Sequence, residues 1–370
     1  MKAVVWTDAF QSIVMVAGLI AVCVLGATKV GGMTEVININ SDWGRFEIEP
    51  GFNLTSRFGF LALIIGYTNY WIAAYSVNQP CAQRYCAMDS MRKGRLAVML
   101  NGPGFVILYG LAVLTGLVAF AYYASKGCDP MRANVLSNAN QIIPYFVMEI
   151  LAYPGLPGIF ISSLFSASLS TLSSSINSMA AVTSEDILKE KFRNLSPARQ
   201  ATLSKIIVVF YGSICMGVSF LVLAVGGNLI QITSSFFGAT IGPTLGLYVL
   251  GALFPWANWK GALIGGLTSI ALSLWIMFGQ VSAKLQRTTL PTPVHNCWNT
   301  TGIYDLSTAY TPSLVENYWE TTTNQTVVEP EDEGFLHSLY SISFSWFSLF
   351  GTLLVVFIGI IISLISGMWK

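Results

Sequence analysis

Gly158-Ile-Phe-Ile-Ser-Ser-Leu-Phe-Ser-Ala-Ser-Leu-Ser-Thr-Leu-Ser-Ser-Ser-Ile-Asn-Ser178 carries two messages at once. It has no charged residue over a length that suits a bilayer crossing, for which about 20 mostly apolar residues are needed. It is also crowded with hydroxyls, among them Ser162, Ser163, Ser166, Ser168, Ser170, Thr171 and Ser174, and ends on Asn177 and Ser178. Two readings fit. Small residues let membrane helices approach closely, so the serines can be packing residues. Hard cations take oxygen ligands, and hydroxyls with a freed backbone carbonyl supply them without burying a formal charge. Ser and Thr that bond the carbonyl four residues back bend a helix and bring such a carbonyl into play. Composition leaves both readings open.

The rest of the chain sets the class. Of 370 residues, 54% are hydrophobic and 10% charged. A soluble domain carries roughly a quarter charged residues, so the fitting solvent here is lipid. Inside a bilayer only helices or closed barrels satisfy the backbone. Long apolar runs without alternation select helices, apolar all round rather than striped. The fold class expected is therefore an all-α membrane protein with about eight transmembrane helices, near 3–27, 58–80, 96–123, 158–182, 204–226, 229–254, 261–280 and 337–366. Residues 226–227 are expected to turn tightly between two of them. The partner implied is the lipid bilayer. A net charge of +1 makes no case for nucleic acid. Lys2 and Asp8 make the first segment read as a span rather than an export signal.

Orientation follows the lysines and arginines. Segment 81–95 holds Arg84, Arg92, Lys93 and Arg95, and 183–205 holds Lys189, Lys191, Arg193, Arg199 and Lys205, so both are expected in the cytoplasm. An even number of spans then puts both termini of this chain inside, in a multi-pass plasma-membrane protein. Glycosylation sequons at Asn53, Asn299 and Asn324 fall in the expected outside loops, and the one at Asn194 falls inside. Of six cysteines, Cys23, Cys81, Cys86 and Cys215 read as small apolar fillers. Cys128 and Cys297 lie in outside loops, an oxidising compartment where the two could pair. His295 and His337 are also expected outside, away from any carboxylate pattern. No nucleophile–base pair or metal-ligand spacing appears, so an enzyme is not expected.

Two more features resist a packing account. Asp8 is the only acid inside an expected span away from its ends, and intramembrane carboxylates usually line ion or substrate paths. The competing reading is an interfacial Asp that snorkels or pairs with Lys2. In Gly66-Tyr-Thr-Asn-Tyr-Trp-Ile-Ala-Ala-Tyr-Ser-Val-Asn-Gln-Pro80, Gly66, Asn69, Asn78, Gln79 and Pro80 make one unbroken helix awkward. Broken helices at mid-membrane form the substrate sites of secondary transporters. An aromatic belt is the competing reading for Tyr67, Tyr70, Trp71 and Tyr75. Gln231, Thr233, Ser234 and Ser235, then Gly242-Pro243, mark another weak spot in a helix.

These stretches resemble the sodium/solute symporter family, in its branch of sodium-coupled monocarboxylate, multivitamin and iodide transporters. The resemblance is carried by Lys2-Ala-Val-Val-Trp-Thr-Asp-Ala-Phe-Gln, Tyr75-Ser-Val-Asn-Gln-Pro-Cys-Ala-Gln-Arg-Tyr, Cys128-Asp-Pro, Gly155-Leu-Pro-Gly-Ile-Phe and, most specifically, Ser166-Ala-Ser-Leu-Ser-Thr-Leu-Ser-Ser-Ser-Ile-Asn-Ser-Met-Ala-Ala-Val-Thr-Ser-Glu-Asp. It covers nearly the whole chain and weakens after about 285.

The resemblance implies a leucine-transporter-like inverted repeat of five plus five helices. Residues 1–27 would be the last helix of the first repeat, 28–57 an extracellular loop and 58–254 the second repeat. A peripheral helix would follow at 255–280, an extracellular loop at 281–336, and a final helix with a short cytoplasmic end at 337–370. The four core helices that precede Asp8 in the family are missing from the sequence, and relatives often continue past Lys370. The expectation is therefore a truncated or inactive form. By resemblance, Na+ would be held by the carbonyl of Ala167 and the hydroxyls of Ser170 and Thr171. Asp8 and Asn177 would lie on the ion path, although Asn177 could equally be a cap or an interhelical hydrogen bond. Trp71, Tyr75 and Gln231 become substrate candidates. Ala74 stands where sugar carriers of the family place a gate tyrosine, which argues against sugar. The function implied is sodium-coupled symport of a small organic anion, with a monocarboxylate favoured over a vitamin or iodide. A non-transporting regulatory membrane protein, and a receptor or channel, are the other classes.

Overall fold

The structure is a computed structural model. It describes all residues except 1, 48–52, 57–58, 152, 189, 191–195, 226–228, 283–289, 295, 298–334 and 368–370, with the backbone alone at 2–5, 7–8, 197 and 223–225. Helices are the only regular secondary structure among the described residues. Among them, seven helices are long and apolar enough to cross a membrane: Ala9–Val30, Met91–Lys126, Leu156–Leu188, Ala198–Val222, Leu229–Leu253, Trp259–Ser282 and Phe344–Ile365. The fold class expected from the sequence stands.

The eighth expected span, 58–80, is not one long helix. A π-helical turn at Ala62–Gly66 leads into a helix at Tyr67–Ser76, the backbone leaves the helix at Val77, and a new helix starts at Gln79 and runs to Cys86. Pro80 explains the position of the break. It tolerates the first helical turn, where its missing N–H has no partner to lose, and resists any later position. The amides of Cys81 and Ala82 both donate to Asn78 O, which starts the new helix.

The chain falls into two compact units. The first comprises Met1–Arg45, Gln83–Gly227 and Pro291–Val315. Its helices are α1 (Lys2–Val30), α2 (Met33–Asp42), α5 (Met91–Lys126), α6 (Ile142–Ile150), α7 (Leu156–Val182) and α8 (Pro197–Val225). Its core joins Leu19 and Val22 of α1, Val36 of α2, Val118 of α5, Phe146 and Val147 of α6, and Phe160 of α7. Gly26 sets the closeness of α1 and α5, since a Cβ there would lie 2.9 Å from Phe146 Cζ and overlap Val118 as well. Helix α2 lies in the stretch expected to be an outside loop. It is anchored by fully buried Asn40, whose Nδ2 donates to Val36 O (2.7 Å) and Leu117 O (3.0 Å). Helix α8 leaves Val209, Phe210, Phe220 and Leu221 uncovered, as a helix facing hydrocarbon should.

The second unit comprises Phe46–Ala82, Asn228–Leu290 and Glu316–Lys370. It contains α3 (Tyr67–Ser76), α9 (Leu229–Leu253), α10 (Trp259–Ser282), α11 (Phe335–Tyr340) and α12 (Phe347–Ile365); α4 (Gln79–Cys86) follows α3 along the chain. Helix α12 runs alongside α9 in the same direction and against α10 in the opposite one. Gly238 meets Phe347, Gly246 meets Val355 and Gly359 meets Leu250, while Gly265 meets Gly359 and Gly279 meets Tyr340. Glycines spaced by four at 238, 242 and 246 make a flat row on which α12 lies, because lipid-exposed helices associate by close packing of small residues rather than by hydrophobic force. The expected weak spot at Gly242-Pro243 does not interrupt α9. Thr352 Oγ1 reaches Gly242 O at 2.9 Å and Gly351 seats the proline ring. Neighbouring helices of this kind let a membrane helix carry proline.

At Gly246 an added Cβ would come within 2.7 Å of Val355 Cβ and 2.8 Å of Thr352 O, whereas at Gly251 it meets nothing within 4 Å. Gly246→Val should therefore destabilise the unit by about 1–3 kcal/mol, read as a lower melting temperature in detergent. Gly251→Val should match the parent. Equal melting of the two variants would contradict this packing.

Candidate functional site

The serine-rich stretch is helix α7, opened by Gly155 in a left-handed conformation (φ 91°) and Pro157 in its first turn. Hydroxyls along it turn back on the helix. Ser163 Oγ donates to Phe160 O (2.7 Å), Ser168 Oγ to Leu164 O (3.0 Å) and Thr171 Oγ1 to Ala167 O (3.1 Å). This satisfies each donor locally and leaves the hydroxyl lone pairs pointing outward.

At 3.6 residues per turn, Phe160, Leu164, Ala167, Thr171, Ser174 and Ser178 fall within about 80° of each other around the helix. Burial along this stripe is uneven. Phe160 is buried against α1, where a Cβ on Gly18 would touch its ring at 2.7 Å. At the other end Ser178 is buried and donates to Gln83 Oε1 (3.1 Å), and Arg84 donates to Ser174 Oγ (3.2 Å), both from α4. Between these covered ends, Thr171 is exposed, and Ala167 and Ser170 are half-buried. Leu164 and Ser174 are half-buried as well, so the window in this stripe is the exposed Thr171.

The Thr171–Ala167 pair has the separation of any such back-bond, as at Thr202–Ala198 and Thr240–Phe236 (3.0 Å each), and that separation is also one two ligands of a small hard cation can adopt. Oxygen ligands at about 2.3–2.6 Å from a cation of calcium's size stand ~3.4 Å apart when at right angles. Thr171 Oγ1 and Ala167 O, 3.1 Å apart, have nearly that separation. A carbonyl has two lone pairs and a hydroxyl two more, so their mutual hydrogen bond leaves acceptor capacity on both. Two oxygens are one wall of a coordination shell, which requires about six in all.

Of the ion-path candidates, Asn177 lies on α7 with its side chain exposed. The side chain of Asp8 lies outside the described residues; its backbone is in the first turns of α1. The substrate candidates separate. Trp71 and Tyr75 stack on each other (centroids 5.8 Å apart, 29° between planes) on α3, and Tyr70 joins edge-on to Trp71 and tilts against Phe237. Gln231 is half-buried on α9, six residues before Phe237, about 9 Å of helix rise away.

Further out, a disulfide joins Cys128 and Cys297, whose Cα atoms are 4.9 Å apart. Its surroundings hold the two segments in register: Asp129 N donates to Pro293 O and Asn296 N to Gly127 O, each at 2.9 Å. Gly127 makes the turn possible, ending α5 in the left-handed region (φ 74°). Exposed Asn53 accepts from Thr55 N (2.9 Å) and Thr55 Oγ1 (2.7 Å), a local turn that presents the sequon to solvent. Asn299, Asn324, Asn194 and His295 lie outside the described residues.

Sequence reasoning missed the partners of four polar residues. Asn69 Oδ1 accepts from Ser348 Oγ (2.9 Å) and Thr352 Oγ1 (3.2 Å), tying α3 to α12. Glu149 on α6 accepts from Tyr123 OH (3.1 Å) and pairs with Lys126 (3.3 Å) at the end of α5. Gln83 and Arg84 of α4 hold α7. The partners have no local signal, because they lie between 23 and 283 residues away.

Seven helices of this length and apolarity among the described residues define a multi-pass membrane protein. Residues 1–269 match the sodium:solute symporter family, and the chain belongs to it. It is 39% identical over 374 residues to sodium-coupled monocarboxylate transporter 1 of Xenopus laevis, covering 99% of this chain and 58% of that protein. The corresponding human protein is 37% identical over 378 residues (99% and 60%), and the human sodium/iodide cotransporter 34% over 381 residues (100% and 58%). The chain thus spans about three fifths of the length of these curated relatives.

Glycosylation at Asn53 would place the segment between α2 and α3 outside the cell. Expressed in mammalian cells, Asn53→Gln should remove one glycan's worth of mobility on a gel, and unchanged mobility would count against that orientation.

Proposed function

We propose that this chain belongs to a sodium-coupled symporter that carries a small organic anion, a monocarboxylate, across the plasma membrane by alternating access. Both termini of the chain lie in the cytoplasm on this reading, as the lysine and arginine distribution indicates. Na+ sits at the window of α7, on Ala167 O and the hydroxyls of Ser170 and Thr171. Asp8 and Asn177 line its way to the cytoplasm. Trp71 and Tyr75 form one apolar wall for the substrate, and Gln231 contributes a polar contact. In the repeat scheme implied by the resemblance, 58–254 is the unit that moves.

One observation carries the reading: Thr171 Oγ1 and Ala167 O stand 3.1 Å apart in the uncovered middle of a helix whose same face is packed at both ends. Similarity to monocarboxylate carriers over 99% of the chain supports the choice of substrate. Coupling requires sodium to favour one state of the carrier over the other; a site of equal affinity in both would drive nothing. The membrane potential adds about 2.3 kcal/mol per charge per 100 mV, enough to concentrate an anion when more than one sodium accompanies it. No arginine lies within an expected span, so a carboxylate would be met by helix-end dipoles and hydroxyls. Similarity to the sodium/iodide cotransporter supports a second reading, with iodide as the anion. Uptake of labelled lactate challenged with iodide separates the two.

Thr171→Ala should weaken sodium dependence about tenfold, the scale of losing one strong oxygen contact, with a smaller change in maximal rate. The check is anion uptake in oocytes against external sodium. An unchanged half-saturating sodium concentration would remove the site from α7.

A further inference from the structure

Helix α3, which carries Trp71 and Tyr75, is 10 residues long and interrupted at both ends, by the π-helical turn Ala62–Gly66 and by Val77. Its buried face presents Ala73 and Ala74 to Ile241 and Leu245 of α9. Two methyl groups fill that contact but offer little shape to interlock. Asn69 adds direction. Its Oδ1 accepts from Ser348 Oγ (2.9 Å) and Thr352 Oγ1 (3.2 Å), which lie one turn apart on α12. Ser348 and Thr352 are both buried. Packing gives no reason for an amide and two hydroxyls here, because in hydrocarbon each must find a partner. What such a contact contributes is a fixed register.

We propose that Asn69 is a positioning residue for anion recognition, and that α12 acts through it. Held by Ser348 and Thr352, Asn69 sets the rotation of α3 about its own axis, and thereby the angle at which Trp71 and Tyr75 face the substrate. This rests on the substrate wall proposed above and assigns what orients it. At about 100° per residue, Asn69 lies about 160° around α3 from Trp71 and about 120° from Tyr75, so its role is exerted through the helix. An error of about 20° in the rotation of α3 displaces a side chain ~5 Å from the axis by about 2 Å. A misplacement of about 1 Å is already enough to impair a positioned site. Helix α12 thus takes part in substrate selectivity although it lies outside the expected repeat of residues 58–254.

Uptake of labelled lactate in oocytes is measured at saturating sodium, with surface amount normalised by biotinylation and iodide competition as the readout of selectivity. Asn69→Leu should raise the half-saturating lactate concentration about tenfold and change the preference between lactate and iodide, while the half-saturating sodium concentration at saturating lactate stays within about twofold of the parent. Ser348→Ala with Thr352→Val should reproduce that shift. Adding Asn69→Leu to the pair should shift it no further, because one contact has been removed from both sides. Ser348→Ala alone should raise the lactate value about threefold, and Thr352→Ser, which keeps the hydroxyl, should stay within about twofold of the parent. If Asn69→Leu does not reach the surface, Ser348→Ala decides in its place. A contact that serves folding alone would lower the surface amount and leave lactate half-saturation and preference unchanged. That result, or additive effects from the two sides of the contact, would overturn the proposal. Trp71→Ala distinguishes the two levels of failure. If it leaves lactate half-saturation unchanged, the substrate wall itself is wrong; a shift in Trp71→Ala without one in Asn69→Leu removes Asn69 alone.

Discussion

The hydroxyls of helix α7 fold back on its own carbonyls, and the candidate ion site depends on it. In hydrocarbon an unpaired hydroxyl is costly, so a run of serines must either find other helices or bond its own backbone. Helix α7 does the second from Ser162 to Thr171 and the first toward its C-terminal end, where Ser178 donates to Gln83 and Ser174 accepts from Arg84. Thr171 satisfies its proton on Ala167 O and keeps its lone pairs, turning a donor-rich surface into an acceptor surface. An acceptor surface without formal charge is what a sodium ion shedding water can use, and it remains tolerable when the ion has left.

The surrounding helices make that surface a local one. Gly18 lets Phe160 approach α1 closely, and Gln83 and Arg84 close the other end from α4. The window is bounded because the packing stops, not because the sequence of α7 changes; serines continue through it. The other unit uses a different device. Its three long helices are brought together by glycine rows, which hold the strand of contacts from Gly238 to Gly359 without large side chains. Asn69 then fastens the short aromatic helix α3 to α12 from the face opposite Trp71 and Tyr75.

Much of this was legible in the sequence and the reasons are specific. Long uncharged runs give the membrane helices, since nothing else explains them. Gly66 and Asn78-Gln79-Pro80 mark the broken segment, and the break falls before Pro80, where the missing N–H dictates it. The hydroxyl helix is visible as composition, but composition does not say which oxygens stay uncovered. Gly242-Pro243 misleads, because a local rule about proline is overridden by Thr352 and Gly351, which lie more than 100 residues away. Helices α2 and α6 are too short to register as spans and sit in stretches read as loops; Asn40 and Glu149 there have partners that only the fold supplies.

The most direct measurement of the central claim needs no transport assay. Melting of the purified protein is followed as sodium chloride replaces choline chloride or potassium chloride at constant ionic strength. A ligand that binds the folded state raises its melting point with concentration. A sodium site on α7 predicts a saturable rise with sodium alone, abolished in a variant carrying Ser170→Ala and Thr171→Ala together. An identical response to all three salts would mean that the hydroxyls of α7 serve helix packing and hold no ion.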